Sequence, residues 1–187
     1  MAVLKLNNVT ALSETGGVAT FGTPSSTLKY PAGHIIQTVH STNNTPADST
    51  GNTLVTCCSQ AITLGSSTNK IMAQWSVPFS MYVLSSGTVY GGFQVASSGT
   101  GVTVETKKWG SYSSSGLYGY AVGTSVTEKF LKGVHTATWI FTPDTTNETT
   151  ITVSATGYST HKTSVNYEGG DTPYHNHSQI ILHELQV

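Results

Sequence analysis

Two short segments frame this chain, and both carry consecutive large apolar residues in a β-like context. The first segment, 30–40, contains Ile35 and Ile36, and the second, 178–187, contains three such residues in succession, beginning at Ile180. Because successive side chains of a strand point to opposite faces, neighbouring apolar residues predict that both faces of these strands are covered. A jelly roll whose first and last strands lie together, and whose inner sheet also packs against sister subunits, satisfies this pattern. The sequence therefore favours an assembly protein over an enzyme.

Between these segments lie several short strand patterns separated by turns rich in Ser, Asn, Asp and Gly. In the clearest, 71–79, alternate residues from Ile71 to Phe79 are apolar and share one face. Pro78 predicts that the end of this strand lies at a sheet edge or a bend. About eight such strands, with no helical periodicity, predict an all-β, antiparallel jelly-roll sandwich. Its core is expected to contain Trp75, Phe79, Trp139, Phe141, Ile151 and Val153.

Residues 1–30 are predicted to form an extended N-terminal docking arm, and residues 31–187 the jelly-roll domain. The arm holds two short strand patterns, 3–6 and 17–21, with too little apolar surface to fold alone. We therefore expect the arm to dock onto a partner, with its attachment made by Leu4, Leu6 and Val9.

Composition argues against several classes of partner. The chain has eight Lys, no Arg and nine acidic residues, so it lacks the basic stripe of a nucleic-acid-binding protein. No apolar run approaches the roughly 20 residues of a spanning helix, so no membrane insertion is expected. The first residues show no secretory pattern, which predicts synthesis in a cytoplasm and release by another route, such as cell lysis.

The two cysteines are neighbours, Cys57 and Cys58. Adjacent side chains of a strand face opposite ways, whereas a disulfide needs two Cβ atoms that face each other. We therefore expect two buried or half-buried free thiols.

Three segments resemble bacteriophage virion proteins, particularly those of phages of marine bacteria and cyanobacteria. They are Pro-Ala-Gly-His-Ile-Ile-Gln at 31–37, Thr-Leu-Gly-Ser-Ser-Thr-Asn-Lys-Ile at 63–71, and Ser-Gln-Ile-Ile-Leu-His-Glu-Leu at 178–185. The segment 2–10 is similar to the short attachment segments of such proteins. The resemblance covers most of 30–187 and is weakest at 80–130.

The resemblance implies a tumour-necrosis-factor-like jelly roll, usually a homotrimer. Such a trimer is mounted on a capsid or tail as a fibre, knob or decoration, with other head or tail proteins as partners. The location implied is the virion, after synthesis in the host cytoplasm. In such trimers the first and last strands face the three-fold axis, which implies an interface that includes Ile35, Val39, Ile181, Leu185 and Val187.

His175 and His177 are separated by one residue, and this spacing resembles an element of some trimeric phage spikes and fibres. There, three chains bring six imidazoles to one metal on the axis. Nitrogen coordination of this kind suits iron or another transition metal. The alternative is a polar loop with two exposed histidines and no cofactor.

Four aromatic residues lie in a Ser- and Gly-rich stretch: Trp109, Tyr112, Tyr118 and Tyr120. Their flat faces could stack on sugar rings, as a receptor-binding tip requires, or pack between subunits. Both interpretations stay open.

No nucleophile elbow, phosphate-binding glycine loop or zinc-protease motif is present, so no enzymatic activity is expected. The sequence predicts a non-enzymatic virion structural protein. The alternatives are a lectin-like module that recognises host surface glycans and, less favoured, a polysaccharide hydrolase whose paired acids meet only on folding.

Overall fold

The computed structural model describes residues 3–6, 9–15, 18–21, 32–83, 91–109, 129–157, 161–166 and 177–187. The chain divides into two compact units, Met1–Ala32 and Gly33–Val187. The first unit contains an antiparallel sheet of order β1-β2-β3, formed by β1 (Val3–Leu6), β2 (Val9–Thr15) and β3 (Val18–Phe21). The strands β1 and β3 confirm the two strand patterns of the sequence, whereas β2 was not predicted.

The second unit is built from ten described strands, and no described residue is helical. None of the described residues forms a helix long and apolar enough to cross a membrane. The strands are β4 (Ile35–Asn43), β5 (Ala47–Thr50), β6 (Leu54–Ile62), β7 (Lys70–Val83), β8 (Gly91–Ser98), β9 (Thr106–Trp109), β10 (Lys129–Phe141), β11 (Thr149–Gly157), β12 (His161–Val165) and β13 (Ser178–Leu185).

All ten of these strands pair in a nested series, in which β5 pairs with β12 in addition to the four pairs that follow. The first strand, β4, pairs with the last, β13; β6 pairs with β11; β7 with β10; and β8 with β9, all antiparallel. A long antiparallel ribbon of this kind, folded over into two sheets, is a jelly roll. The structure therefore confirms the predicted all-β jelly-roll sandwich.

The ribbon forms two sheets, which we call sheet I and sheet II. Sheet I contains β4, β13, β7 and β10 in that order, with β12 and β5 added beside the second half of β7. Sheet II has the order β6-β11-β8-β9.

Pro78 lies inside β7, which continues to Val83, so the predicted sheet edge at this proline is wrong. One side of β7 pairs with β10 throughout. The other side pairs with β13 up to Ser76 and with β12 from Phe79 onward. Pro78 lies in the gap between these two partners, where its missing N–H removes no described ladder bond on that side.

The core lies between the two sheets and confirms the apolar alternation of β7. Ile71, Ala73, Trp75 and Val77 are all buried. Five of the six predicted core residues are buried, and the sixth, Phe79, packs against them from a half-buried position. Each large side chain of this cluster contributes roughly 1.5–3 kcal/mol when it leaves water. Buried residues outside the predicted core list include Met81, Phe93 and Val95, and Ile180 and Leu182 of the second framing segment are buried as well.

Candidate functional site

The pairing of β4 with β13 brings the two framing segments of the sequence together. Ile180 and Leu182 point into the sandwich and are fully buried, whereas Ile181 between them lies half-buried on the outer face of sheet I. Ile35 and Ile36 are 44% and 38% exposed. Among the described residues of the second unit, therefore, only the inner face of the two strands is covered.

The outer face of sheet I holds most of the residues that the resemblance placed at an interface. Leu185 pairs with Ile35 across a register irregularity and is half-buried, and Val187 is exposed. Val39 differs from them, because it pairs with Leu182 and packs against the core. We call the exposed or half-buried apolar group of Ile35, Ile181, Leu185 and Val187 the β4–β13 patch.

A histidine lies beside this patch with its ring held in place. The Oγ1 atom of Thr38 on β4 lies 2.9 Å from Nδ1 of His183 on β13, and the two residues are direct cross-strand partners. Because one ring nitrogen is engaged by Thr38, the orientation of the imidazole on the outer face is defined.

At the opposite edge of sheet I, five rings pack between the two sheets. His135 on β10 stacks on Phe93 of β8, with centroids 4.1 Å apart and planes 7° apart. Trp109 meets His135 edge-on at 5.7 Å and Trp75 at 5.2 Å. Phe79 contacts Phe93 at 5.3 Å. Trp109 is thus half-buried at the end of β9, with its ring in contact with two core-facing rings.

His135 is neutral in this setting. Its partial burial among aromatic rings lowers the pKa of the imidazole to about 4, because burial disfavours the charged form. Its Nε2 atom and the Nε1 atom of Trp75 have no hydrogen-bond partner among the described residues. The ring acts as an aromatic packing element rather than as a proton donor near neutral pH.

A buried carboxylate, Glu184, ties the last strand to the loop between β6 and β7. Glu184 is 2% exposed, and its Oε1 atom accepts hydrogen bonds from the Gly65 N–H at 2.7 Å and the Asn69 amide at 2.6 Å. When the side-chain amide of Gln37 is oriented with its nitrogen toward these two acceptors, it donates to Glu184 Oε2 at 3.1 Å and to Thr63 O at 3.0 Å. Three neutral donors therefore satisfy the buried charge.

Cys57 and Cys58 are free and both buried, as the sequence predicted. A register irregularity opposite Val153 lets adjacent residues of β6 both face inward. Burial raises the pKa of the Cys57 thiol well above its usual value and that of Cys58 to about 12. These thiols are poor nucleophiles, because the reactive thiolate is disfavoured.

The Cys57 carbonyl accepts hydrogen bonds from two asparagine side chains, Asn43 at 2.8 Å and Asn166 at 3.3 Å. Asn166 is buried, has a positive φ of 57°, and also accepts a bond from the Ser178 backbone N–H at 2.9 Å. It therefore joins the start of β13 to the irregular part of β6.

A polar pocket of about 470 Å³ lies where the β8–β9 and β10–β11 loops meet, lined by Gly99, Thr100, Asn147, Glu148 and Thr150. Asn147 donates to the Thr100 carbonyl at 2.9 Å, and Thr103 donates to Asp144 at 2.9 Å, so the two loops hold each other. Among the described residues of the lining, Glu148 is the one carboxylate, whereas glycoside hydrolysis needs two.

Most of the other predicted site residues lie outside the described side chains. His175, Tyr112, Tyr118 and Tyr120 fall outside the described residues, and His177 is exposed directly before β13. Leu4 and Leu6 lie on β1, and Val9 begins β2. The described residues contain no group of three or more His, Cys, Asp or Glu that could hold a metal ion. The metal, glycan and docking roles remain predictions.

No protein-family model matches the sequence, and a search of curated proteins gives no match. Among solved structures, the structure of the Gx strain of infectious bursal disease virus aligns with 96% of this chain and 46% of that chain, at 12% identity and a TM-score of 0.37. The VP2 subviral particle of infectious bursal disease virus aligns with 96% and 47%, at 12% identity and a TM-score of 0.38. This chain spans less than half the length of both structures. At TM-scores this low, neither match supports an inference about family or function.

Proposed function

We propose that this chain is a non-enzymatic structural protein of a bacteriophage virion. Its N-terminal unit docks the molecule on the head or tail, and its jelly roll forms a trimer that is displayed as a fibre, knob or decoration. The proposal rests on the jelly-roll fold together with the segments that resemble phage virion proteins.

The observation that carries the trimer is the β4–β13 patch. Ile35 and Ile181 lie on adjacent strands, and the described residues of the second unit leave their large apolar side chains exposed or half-buried on the outer face. Burying such side chains against sister subunits would stabilise an assembly by the hydrophobic effect. The buried core and the hydrogen-bonded Glu184 hold these two strands in register beneath the patch.

The test of assembly is the molar mass of the purified full chain, measured by multi-angle light scattering over a range of concentrations. We expect three chains, or a multiple of three, per particle. A mass that is not a multiple of three would contradict the trimer. The virion assignment is tested separately, by mass spectrometry of purified phage particles, which should contain this chain in many copies.

A second candidate function is host glycan recognition. Trp109 ends β9 and leads directly into the segment that holds Tyr112, Tyr118 and Tyr120. Since its ring also packs on Trp75, Trp109→Ala would damage the core and confuse the result. Tyr118→Ala with Tyr120→Ala on a glycan array is therefore the cleaner test. Loss of a wild-type glycan signal in this variant, with unchanged thermal stability, would support recognition by this segment.

The transition metal also stays within this proposal, at His175 and His177 of three chains. Elemental analysis of the purified trimer should find one iron or other transition metal per three chains. The same analysis of His177→Ala should find none. If the wild-type trimer contains no metal and is as stable as the His177→Ala variant, this segment acts only as an exposed polar loop.

A further inference from the structure

The edges of the two sheets differ in how they are protected. An unprotected strand edge presents unpaired backbone groups that can pair with another chain, and proteins usually blunt such edges with charge, irregularity or short length. The described edges β5 and β9 have only four residues each, with Asp48 on one and Lys107 and Lys108 on the other.

Two further edges, β4 and β6, cover each other. Ser41 on β4 donates to the Ser59 carbonyl at 2.6 Å, and Asn43 donates to the Cys57 carbonyl at 2.8 Å. Side chains of one edge therefore occupy backbone acceptors of the other, which closes that side of the sandwich.

The edge of β10 lacks these protections from Val134 to Phe141. All 13 residues of β10 pair with β7 on one side in a regular register, and no described strand pairs with its other side. From Val134 to Phe141 the strand contains no charged residue, no proline and no glycine. Val134 and Ile140 are 59% and 52% exposed.

The outward-facing residues of this stretch are self-complementary. Val134, Thr136, Thr138 and Ile140 are all exposed, and Ala137 lies at the centre of the series. If two copies of β10 run antiparallel about Ala137, each Val134 lies opposite Ile140 of the other copy, and each Thr136 lies opposite Thr138. Apolar pairs and Thr–Thr pairs are both favourable across strands.

We propose that the edge of β10 pairs with β10 of a second copy of this chain. The contact is isologous and two-fold, centred on Ala137, and it joins two copies of sheet I into one continuous sheet. The occupant is a second copy because the strand matches itself in both side-chain type and spacing.

This contact is compatible with the proposed trimer, because sheet I has the order β4-β13-β7-β10 and the two surfaces lie at its opposite edges. It does not depend on the trimer. A two-fold contact predicts an even number of chains per particle: two if the β10 edge acts alone, and six if both contacts form.

The register is tested by cross-linking the double variant Thr136→Cys/Thr138→Cys with a short bifunctional thiol reagent. In the proposed register each new cysteine directly faces the other new cysteine of the second copy. The two single variants place each cysteine opposite a threonine, so they should cross-link several-fold less. Because the native Cys57 and Cys58 are buried, they should react little with the reagent, and the wild-type protein gives the background level of cross-linking.

The contact itself is tested with Thr136→Lys/Thr138→Lys, which sets like charges opposite each other on an exposed face. We expect the molar mass to fall by half with unchanged thermal unfolding. The matched control is Thr56→Lys, an exposed threonine on β6, which should keep the wild-type mass. A wild-type mass of one or three chains, or equal cross-linking in the single and double cysteine variants, would overturn the proposal.

Discussion

The carboxylate of Glu184, on the last strand, accepts a 2.6 Å hydrogen bond from the side-chain amide of Asn69, 115 residues earlier in the chain. Both residues are buried. The bond joins two of the segments that resemble phage virion proteins, 63–71 and 178–185. It gives these segments a shared structural role, because the loop after β6 is held in place only when β13 is in its native register.

We expect Glu184→Ala to lower the free energy of unfolding by about 3 kcal/mol. The substitution removes a charged acceptor, leaves the buried Asn69 amide without this partner, and removes the acceptor of the part-buried Gly65 N–H. Urea unfolding followed by tryptophan fluorescence measures the loss. The matched control is Glu105→Ala, whose carboxylate forms a solvent-exposed pair with Lys107 and should cost no more than about 0.5 kcal/mol. Equal losses in the two variants would contradict the role of Glu184.

The stability of the protein should fall as the pH drops from about 6.5 to about 4, partly through His135. The pKa of this group is lowered to about 4 in the folded state, so the unfolded chain takes up the proton first. By linkage, the difference between the pKa values of His135 in the folded and unfolded chain contributes at most about 3 kcal/mol to the free energy of unfolding. This contribution is fully lost below pH 4.

The His135→Phe variant isolates this contribution, since phenylalanine can keep the stack on Phe93. We expect its stability to decrease less than that of the wild type over the same pH interval, in urea unfolding at several pH values. Parallel curves for the two proteins would show that His135 does not titrate differently on folding.

Asn166 should be intolerant of substitution for two separable reasons. Asn166→Gly keeps the positive φ but removes the bonds to Cys57 O and Ser178 N, with an expected loss of about 2 kcal/mol. Asn166→Ala should cost about 1 kcal/mol more, because a Cβ is unfavourable in the left-handed region. Thermal unfolding of both variants measures the difference, and an alanine variant as stable as the glycine variant would refute the backbone argument.

Ile181→Asp should yield single chains, pairs of chains joined at the β10 edge, or insoluble protein instead of the proposed trimer, because it places a charge in the middle of the β4–β13 patch. Its side chain lies on the outer face, opposite His40 and Gln74, so the core beneath stays intact. Light scattering measures the mass. Gln179→Asp, an exposed position two residues earlier on the same face, serves as the control. A soluble, intact Ile181→Asp trimer would rule out this interface.

Several strands were predictable because their patterns are local. The alternation of 71–79 identified the buried face of β7, and the two framing segments were recognised as partners. Glycine is unfavourable within strands, yet Gly133 lies inside the single strand β10. It faces the Phe79 ring at a distance that a Cβ would crowd. Its absent side chain therefore makes room for the ring.

The sequence predicted apolar residues on both faces of the framing strands, whereas it did not predict the covering of Trp109. Trp109 was placed in an aromatic loop, yet its ring packs on Trp75 and His135. Nothing near position 109 indicates this contact, since those two rings come from sheet I and Trp109 from sheet II.

Short antiparallel strands with one buried face could be inferred from the sequence alone, because a period of two residues is a local property of the backbone. The apolar residues on both faces of the two framing segments could be inferred in the same way. Which polar groups meet, such as Glu184 with Asn69 and Asn166 with the Cys57 carbonyl, depends instead on how the chain folds. These contacts join residues more than 100 positions apart, so they exist only once strand register and sheet packing have brought the segments together.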